Sequence, residues 1–284
     1  MLRSHCKRLR KSQALPVLSI MSKFVIDHDL HLHSQLSLCS NDPEQTAQAL
    51  LDYGVREGLA DICVTDHYWD ENVPGASSWY AAQNYAHVAQ ILPLPKSDAC
   101  RMHFGCEIDM DQFMTVGISD KMLDAFEFII VPTSHLHMTG FTIAPEDISV
   151  VRRAELYLAR NHALLDMDLP FYKMGLAHFT CSLMERNCEG NRDDILNAIT
   201  DAKYAELFAR VAKSGMGVEL NVNLSDPQSA DTMRPYRIAK AQGCKFYLGS
   251  DAHHPKGLAE ARARFEAVID ALELTEDDKF RPFG

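Results

Sequence analysis

The chain has 284 residues, of which 46% are apolar, so it can bury the core of one large α/β domain. Its formal net charge is −11 at pH 7, and because such a body repels a phosphate backbone, the composition argues against extended nucleic-acid binding. A small anionic substrate is compatible with this charge only where cations in the site outweigh the surrounding field.

The eight cysteines are scattered along the sequence without a Cys-x-x-Cys pair. Cys63 and Cys106 fall inside apolar runs, which favours reduced, buried thiols in a reducing compartment, and we expect a cytoplasmic protein. No apolar run approaches the roughly 18 residues of a membrane span, so we expect no membrane partner. The sequence leaves the oligomeric state open.

The N-terminal segment, residues 1–23, differs in composition from the rest of the chain. The first 26 residues contain six Lys or Arg and no Asp or Glu. An organelle-targeting peptide, a short signal-like segment and a disordered extension upstream of a later natural start each fit this pattern. We favour the extension, and we place one folded domain at residues 24–284.

Seven apolar runs predict β-strands at residues 24–30, 61–65, 102–108, 126–132, 173–177, 216–222 and 244–249. Helical patterns lie between them at 43–56, 77–91, 145–165, 203–214, 227–242 and 257–271. The first helix is predicted to start at Pro43, after Asn41 and Asp42, and the fourth to end at Gly215. Nearly continuous apolar strands separated by helices indicate a parallel sheet that is covered on its outside.

Side chains that can bind metals follow nearly every predicted strand at its C-terminal end. They are His31 and His33, Asp66 and His67, Glu107 and Asp109, His135 and His137, His178, and Asp251 and His253, with Glu219 and Asn221 inside the sixth strand. A doubly wound open sheet would spread these ends over two edges, whereas a closed barrel gathers them around one mouth. We therefore predict a barrel of seven parallel strands.

The pair His31 and His33 is the centre of this pattern. Residues i and i+2 of a strand point to the same face, so the two imidazoles are directed to one point. Alone, such a pair also fits two surface histidines, but here it opens an ordered set of motifs with the N and O donors that borderline divalent metals prefer. The set is His31-x-His33, Thr65-Asp66-His67, Gly105-Cys106-Glu107, Ser134-His135, Ala177-His178 and Gly249-Ser250-Asp251-Ala252-His253.

This set of motifs resembles the PHP family, the polymerase and histidinol phosphatase superfamily, over residues 24–275, and looks most like its stand-alone histidinol-phosphatase branch. The resemblance implies a distorted seven-stranded TIM-like (β/α) barrel that binds two or three divalent metal ions, commonly Zn, Mn or Fe. By motif position, the implied ligands are His31, His33, Glu107 and Asp251 for a first metal, Glu107, His135 and His178 for a second, and His67 and His253 for a third.

The remaining ligand of the third metal comes, in many members of the family, from a residue shortly after the His-x-His pair. The family often has His or Asp there, whereas this chain offers Cys39 and Asp42. A Cys39 thiolate would favour zinc. Asp42 could reach in instead, or the third site could be weak, and we take Cys39 as the predicted ligand.

The implied chemistry is hydrolysis of a phosphate ester. Two divalent ions about 3.5–4 Å apart lower the pKa of the water between them, so hydroxide can attack phosphorus in line at neutral pH. Glu107 and Asp251 are then catalytic through the metals they hold. His253, or the third metal, stabilises or protonates the departing alkoxide. Asp29 and Asp66 are candidates to fix the tautomers of neighbouring ligand histidines, the alternative being ordinary strand-end carboxylates.

Substrate contacts are predicted at two residues. Arg234 is the first choice for phosphate, ahead of Lys173 and Arg152, because a guanidinium can bind two phosphate oxygens at once. His137 shares the i,i+2 spacing with His135 and is predicted to face the substrate, the alternative being an ordinary loop histidine.

Two further features remain open between a functional and a structural role. Glu219 either supports the site or is an interior carboxylate of the barrel. The aromatic residues after the second strand either cover the substrate or pack in the core; they are Trp69, Trp79 and Tyr80.

We therefore predict a metal-dependent phosphoesterase acting on a small phosphorylated metabolite, with L-histidinol phosphate as the first choice and histidine biosynthesis as the context. One alternative is another phosphatase on the same scaffold, acting on a nucleotide, a 3′,5′-bisphosphate or a sugar phosphate. The other is a non-catalytic, metal-binding regulatory module.

Overall fold

A computed structural model describes residues 22–40, 42–221 and 226–283. The predicted N-terminal extension lies outside the described residues except for Ser22 and Lys23, and so do Asn41 and the last residue of the predicted strand 216–222. Lys23 pairs with Thr275 in an antiparallel bridge.

The described residues form one parallel sheet. Its strands are β1 His28–Leu32, β2 Asp61–Val64, β3 His67–Tyr68, β4 Arg101–Ile108, β5 Phe128–Val131, β6 Met174–Leu176, β7 Gly217–Asn221 and β8 Lys245–Gly249. The order is β1-β2-β4-β5-β6-β7-β8, and β3 also pairs with β4. Because β2 pairs with the first half of β4 and β3 with the second half, the two occupy a single position, which makes seven positions in all.

The two ends of this sheet meet. Leu32 forms a parallel bridge with Ala252, and the amide of Asp251 donates to the carbonyl of His31 at 2.8 Å. The sheet is therefore a nearly closed barrel, as predicted, and the C-terminal ends of its strands surround one mouth.

The helices are α1 Ala47–Arg56, α2 Ser78–Ala81, α3 Tyr85–Val88, α4 Val150–Leu165, α5 Arg192–Ala198, α6 Asp201–Ser214, α7 Ala230–Ala241, α8 Pro255–Leu258 and α9 Ala261–Leu272. Short 3-10 helices lie at Ala89–Ile91, Asp120–Ala125, Phe171–Lys173, Ser182–Glu185 and Glu276–Asp278. The predicted helices are present except the one at 77–91, and α5 was not predicted.

Side-chain caps decide where several of these helices begin. The predicted start at Pro43 is wrong: α1 begins at Ala47 because the Thr46 side chain accepts a hydrogen bond from the amide of Ala49. The predicted helix 77–91 is instead α2, α3 and a 3-10 turn, since Ser77 and Asn84 each cap a new start. Caps of this kind depend on local backbone angles, which an apolar pattern does not report.

Successive strand residues point alternately to two cores. On β5, Ile129 and Val131 belong to the large core under the helices, whereas Phe128 and Ile130 belong to a second cluster inside the barrel. Tyr247 completes that interior cluster, which fills the barrel below the mouth and leaves the polar residues at its C-terminal end.

Among the described residues, no helix is long and apolar enough to cross a membrane. The described cysteines, at 39, 63, 100, 106, 181, 188 and 244, are all free thiols.

Candidate metal centre

The predicted ligands converge at the mouth of the barrel. Three groups of side chains place their donor atoms within 4.8 Å of one another. These groups are His31, Glu107 and His178; His31, His33 and Asp251; and His33, Cys39, His67 and His253. Side chains from five different strand ends thus form one cluster.

Glu107 lies at the centre of the cluster. It is 1% exposed, and its Oε2 has no hydrogen-bond partner among the described residues. Nitrogens of three rings nevertheless surround this oxygen, at 3.4 Å for His31, 3.2 Å for His33 and 3.2 Å for His67. A buried carboxylate oxygen without a hydrogen bond is costly, and ring nitrogens around it without hydrogen-bond geometry are what a shared metal ion requires. These residues therefore fit divalent metal ions.

Two neighbouring ring nitrogens support the same conclusion. The Nε2 atoms of His31 and His33 lie 3.1 Å apart. The Oδ1 atom of Asp251 is 3.4 Å from the first of these nitrogens and 3.2 Å from the second. Two imidazole lone pairs and a carboxylate oxygen that face one point form a mixed N and O donor set suited to Zn, Mn or Fe.

Two of these residues have backbones in the left-handed region. His178 has φ 27° and Asp251 has φ 52°. Such angles cost free energy in residues other than glycine and persist where the surroundings hold them, often at functional sites. The Nε2 of His178 lies 3.1 Å from the Oε1 of Glu107.

Glu219 on β7 orients the cluster from below. It is fully buried, and its Oε1 lies 2.6 Å from the Nδ1 of His31, while its Oε2 accepts a hydrogen bond from the amide of His178. A carboxylate on Nδ1 leaves the Nε2 lone pair of His31 free to face a metal. Gly249 makes room for this arrangement, because a Cβ there would lie 1.9 Å from Glu219 Oε1. Of the two roles left open for Glu219, the geometry supports the functional one.

The other rings are held in a similar way. The Nδ1 of His33 lies 3.0 Å from Ser37 Oγ, and the Nδ1 of His178 lies 3.1 Å from Ser134 Oγ. The Nδ1 of His135 lies 2.8 Å from Asp109, a carboxylate that also accepts from the Tyr80 hydroxyl and from the buried Arg160.

Asp29 and Asp66 hold the backbone and not the rings. Asp29 accepts from the Tyr53 hydroxyl at 3.0 Å and from the amide of Ser250 at 2.9 Å, and burial raises its pKa to about 6. Asp66 accepts from both the amide and the hydroxyl of Ser34. Its Oδ1 is 3.9 Å from the nearest ring nitrogen of His33, which is too far for a hydrogen bond.

His135 lies beside the tight donor groups and not within one. Its ring stacks on that of His178 with centroids 4.8 Å apart. Within the described part of the chain, His31 takes the place that the resemblance implies for His135 in the group with Glu107 and His178. Its role as a ligand stays a prediction.

The histidines and carboxylates of the cluster shift one another's pKa values. Burial opposes charge on His31, but the carboxylates of Glu219, Asp251 and Glu107 outweigh it and raise the pKa of His31 well above its usual value. Burial would raise the pKa of Glu107, yet the histidines, His67 and His31 foremost, hold it well below the usual value. Ring protons therefore balance the carboxylates where no cation does so, and metal binding should release protons.

A cavity of about 440 Å³ opens over the cluster. His137, Met138, Leu183, Trp79 and Arg186 line it beside the candidate ligands. Arg186 is the only Lys or Arg among the lining residues in the described part of the chain. Arg186 and the lining Leu183 were missed in the sequence, because both lie between β6 and α5, in and just after a short 3-10 helix that no strand or α-helix pattern marks.

Of the two predicted substrate contacts, one lies at the cavity and the other does not. His137 lines the cavity, and its Nδ1 is buried without a hydrogen-bond partner among the described residues. Arg234 is absent from the lining and pairs with Asp201 at 2.7 Å and with the carbonyl of Ile199 at 2.6 Å. These bonds occupy its guanidinium, so the geometry does not support Arg234 as the phosphate ligand.

The three aromatic residues after β2 also differ in their positions. Trp79 and Tyr80 line the cavity, whereas Trp69 is 1% exposed and packs against Tyr80 and Phe141. Trp79 and Tyr80 therefore form part of the cavity wall, and Trp69 packs in the core behind them.

Comparison with known proteins agrees with this geometry. The model of the PHP domain family matches residues 29–223. No curated protein matches the sequence. The fold is similar to that of the histidinol phosphate phosphatase from Lactococcus lactis, solved with zinc, L-histidinol and phosphate, at 17% identity and a TM-score of 0.55 over 86% of this chain and 93% of that chain.

It is also similar to a candidate histidinol phosphatase from Listeria monocytogenes, at 14% identity and a TM-score of 0.58 over 84% of this chain and 99% of that chain. At these identities the structural likeness shows a shared fold. Because the family model covers well over half of the sequence and the strand ends carry its motifs, the chain belongs to the PHP domain family.

Proposed function

We propose that this protein is a metal-dependent phosphomonoesterase. The observation that supports it most is the buried Glu107 carboxylate, whose oxygens face ring nitrogens from His31, His33, His67 and His178 at 3.1–3.4 Å. Residues that would hold the ions are His31, His33, Glu107, His178 and Asp251, with His135 adjacent. When bound, divalent ions supply hydroxide at neutral pH and offset the charge of the phosphoryl oxygens.

The chain itself supplies orientation. Glu219 and Ser37 hold Nδ1 of His31 and of His33, so both Nε2 lone pairs face the cluster. Burial lowers the pKa of His253 to about 4, so its ring is neutral near pH 7. A neutral imidazole is a poor proton donor to the leaving alkoxide, and the position of His253 in a donor group favours it as a ligand instead.

Arg186 takes the place we had predicted for Arg234. Its side chain lines the cavity and has no hydrogen bond or ion pair with the described residues, so the guanidinium is available to two oxygens of an anionic substrate. His137, neutral because burial lowers its pKa to about 3, offers a second polar contact beside it.

Two substrate classes follow. L-histidinol phosphate stays the first candidate, supported by the fold shared with histidinol phosphatases. A second observation favours the alternative: the only acids among the described lining residues are Glu107 and Asp251, which the ions would occupy. An ammonium group on the substrate then finds no free carboxylate in the lining, and Arg186 is already assigned to the phosphate. This favours a nucleotide, a bisphosphate or a sugar phosphate.

The test is a screen of metal-reconstituted protein against L-histidinol phosphate, nucleotides, a nucleoside 3′,5′-bisphosphate, sugar phosphates and an aryl phosphate. Release of inorganic phosphate that stops after chelation and returns with added metal would support the proposal. Bound metal without turnover of any ester would refute it and leave a non-catalytic metal-binding module.

A further inference from the structure

The inner face of α4 is unusually polar. A helix that packs on a barrel normally buries an apolar stripe, but α4 also buries four polar side chains along one face: Arg153, Tyr157, Arg160 and Asn161. Each of them hydrogen-bonds to a segment that follows a strand at the mouth of the barrel. Because burying a polar group is costly unless it is hydrogen-bonded, these bonds to the mouth account for the polar face.

Arg153 joins two of these segments. Its side chain is fully buried, and its guanidinium donates to four backbone carbonyls, two in the loop after β5 and two in the segment after β6. The carbonyls are those of Leu136, Asp147, Met184 and Arg186, the last two at 3.0 Å. One planar group therefore fixes the position of the segment after β6 against the loop after β5.

The charge of Arg153 has no ionic partner in the part of the chain that the structure describes. The carboxylate of Asp147 pairs with Arg152 instead, at 2.7 Å. Burial accordingly lowers the pKa of Arg153 below its usual value. Stability alone does not explain a buried cation here, because burying a charge without an ionic partner costs free energy. A rigid fork of five donors that reaches several carbonyls at once does explain it.

Two of the four carbonyls belong to, or lie beside, polar residues of the cavity. The carbonyl of Leu136 directly precedes His137, which lines the cavity. The carbonyl of Arg186 belongs to the residue whose side chain we assign to the phosphate. Arg186 has no hydrogen bond or ion pair from its own side chain with the described residues, so its place depends on how its backbone is held.

We propose that Arg153 is a positioning residue that holds Arg186 at the cavity by bonding the segment after β6 to the loop after β5. The inference rests on the proposed function and deepens it, because it names a residue outside the cavity that sets the affinity for the phosphate group. Arg153 does not touch the substrate, since it is fully buried and absent from the cavity lining. Its effect on binding therefore passes through Arg186.

The main variant is Arg153→Lys. It keeps the charge, but an ammonium on a flexible stem has three donors and cannot reproduce the fork that reaches four carbonyls. In the zinc-loaded full chain, KM for an aryl phosphate and Kd for inorganic phosphate should both rise about tenfold, while kcat and the zinc content stay within about twofold of the wild type. A merely structural role would lower the thermal stability and leave KM and Kd unchanged.

A double-mutant cycle identifies the route of the effect. Because Arg153 acts through Arg186, the double variant Arg153→Lys with Arg186→Ala should bind inorganic phosphate no more weakly than Arg186→Ala alone. Arg234→Lys is the matched control, since Arg234 also donates to two loop carbonyls, of Leu196 at 3.3 Å and of Ile199 at 2.6 Å, away from the cavity. This control should keep the KM and Kd of the wild type.

Wild-type KM and Kd in Arg153→Lys would overturn the proposal, and so would additive losses in the double variant. Loss of zinc binding or of the folded state in Arg153→Lys would also overturn it, because the guanidinium would then support the barrel as a whole. Failure of the proposed function looks different: phosphate binding that depends on Arg153 and Arg186, without turnover of any ester, refutes the activity alone. Turnover with a wild-type KM in Arg153→Lys refutes the positioning role alone.

Discussion

Replacing Glu219 by Gln tests whether the cluster depends on the residue beneath it. The carboxylate is fully buried and accepts from two donors, the ring Nδ1–H of His31 and the amide of His178. Glutamine keeps the volume but has one acceptor oxygen for these two donors, so one donor would face the amide NH₂. The ring of His31 then loses its fixed tautomer, or the loop bearing His178 shifts.

The expected loss follows from the number of bonds broken. One orienting bond to a metal-binding histidine is worth roughly 10–100-fold in metal affinity, which is about 1.4–2.7 kcal/mol. The fold should survive, because the volume is unchanged and no cavity is made. Turnover of an aryl phosphate should fall by a similar factor at limiting metal and recover in part at saturating metal.

The assay is competition between the protein and a chelator of known affinity for Zn²⁺ or Mn²⁺, with turnover measured in parallel. Glu127→Gln is a matched control, since Glu127 also binds a ring nitrogen, of His103 at 2.8 Å, and a backbone amide, of Phe104 at 3.1 Å, away from the cavity. Metal affinity in Glu219→Gln equal to that of the wild type would show that Glu219 is only an interior carboxylate.

Three further predictions concern single residues. Glu107→Ala should lose two metal equivalents and all turnover, and elemental analysis that finds the metal content unchanged would contradict its bridging role. Arg186→Ala should raise KM about tenfold through loss of a charge-assisted hydrogen bond, whereas Arg234→Ala should not; equal KM values in both would refute the phosphate role of Arg186. Burial disfavours the charged ring of His103, but Asp61 and Glu127 outweigh it and raise its pKa. Its contribution to stability is complete below the unfolded pKa of about 6.5 and is lost as pH rises through the higher folded pKa, so thermal unfolding of wild type and His103→Gln should converge at alkaline pH.

The sequence alone was sufficient for the barrel and for the set of candidate ligands. Alternation places residues i and i+2 on one face, and parallel strands bring their C-terminal ends to one edge. His31, His33, Glu107, His178 and Asp251 were therefore recognisable one strand at a time. The first rule is local, and the second follows from the alternation of strands and helices along the chain.

Tertiary structure decided which partners those residues have. Glu219 reaches His31 from 188 positions away, and Arg186 reaches the cavity from a loop without a pattern. Arg234 instead pairs with Asp201 and donates to the carbonyl of Ile199, away from the cavity. Such choices depend on loop paths and on which acceptors lie nearby once the chain has closed, and neither is written in the spacing of residue types.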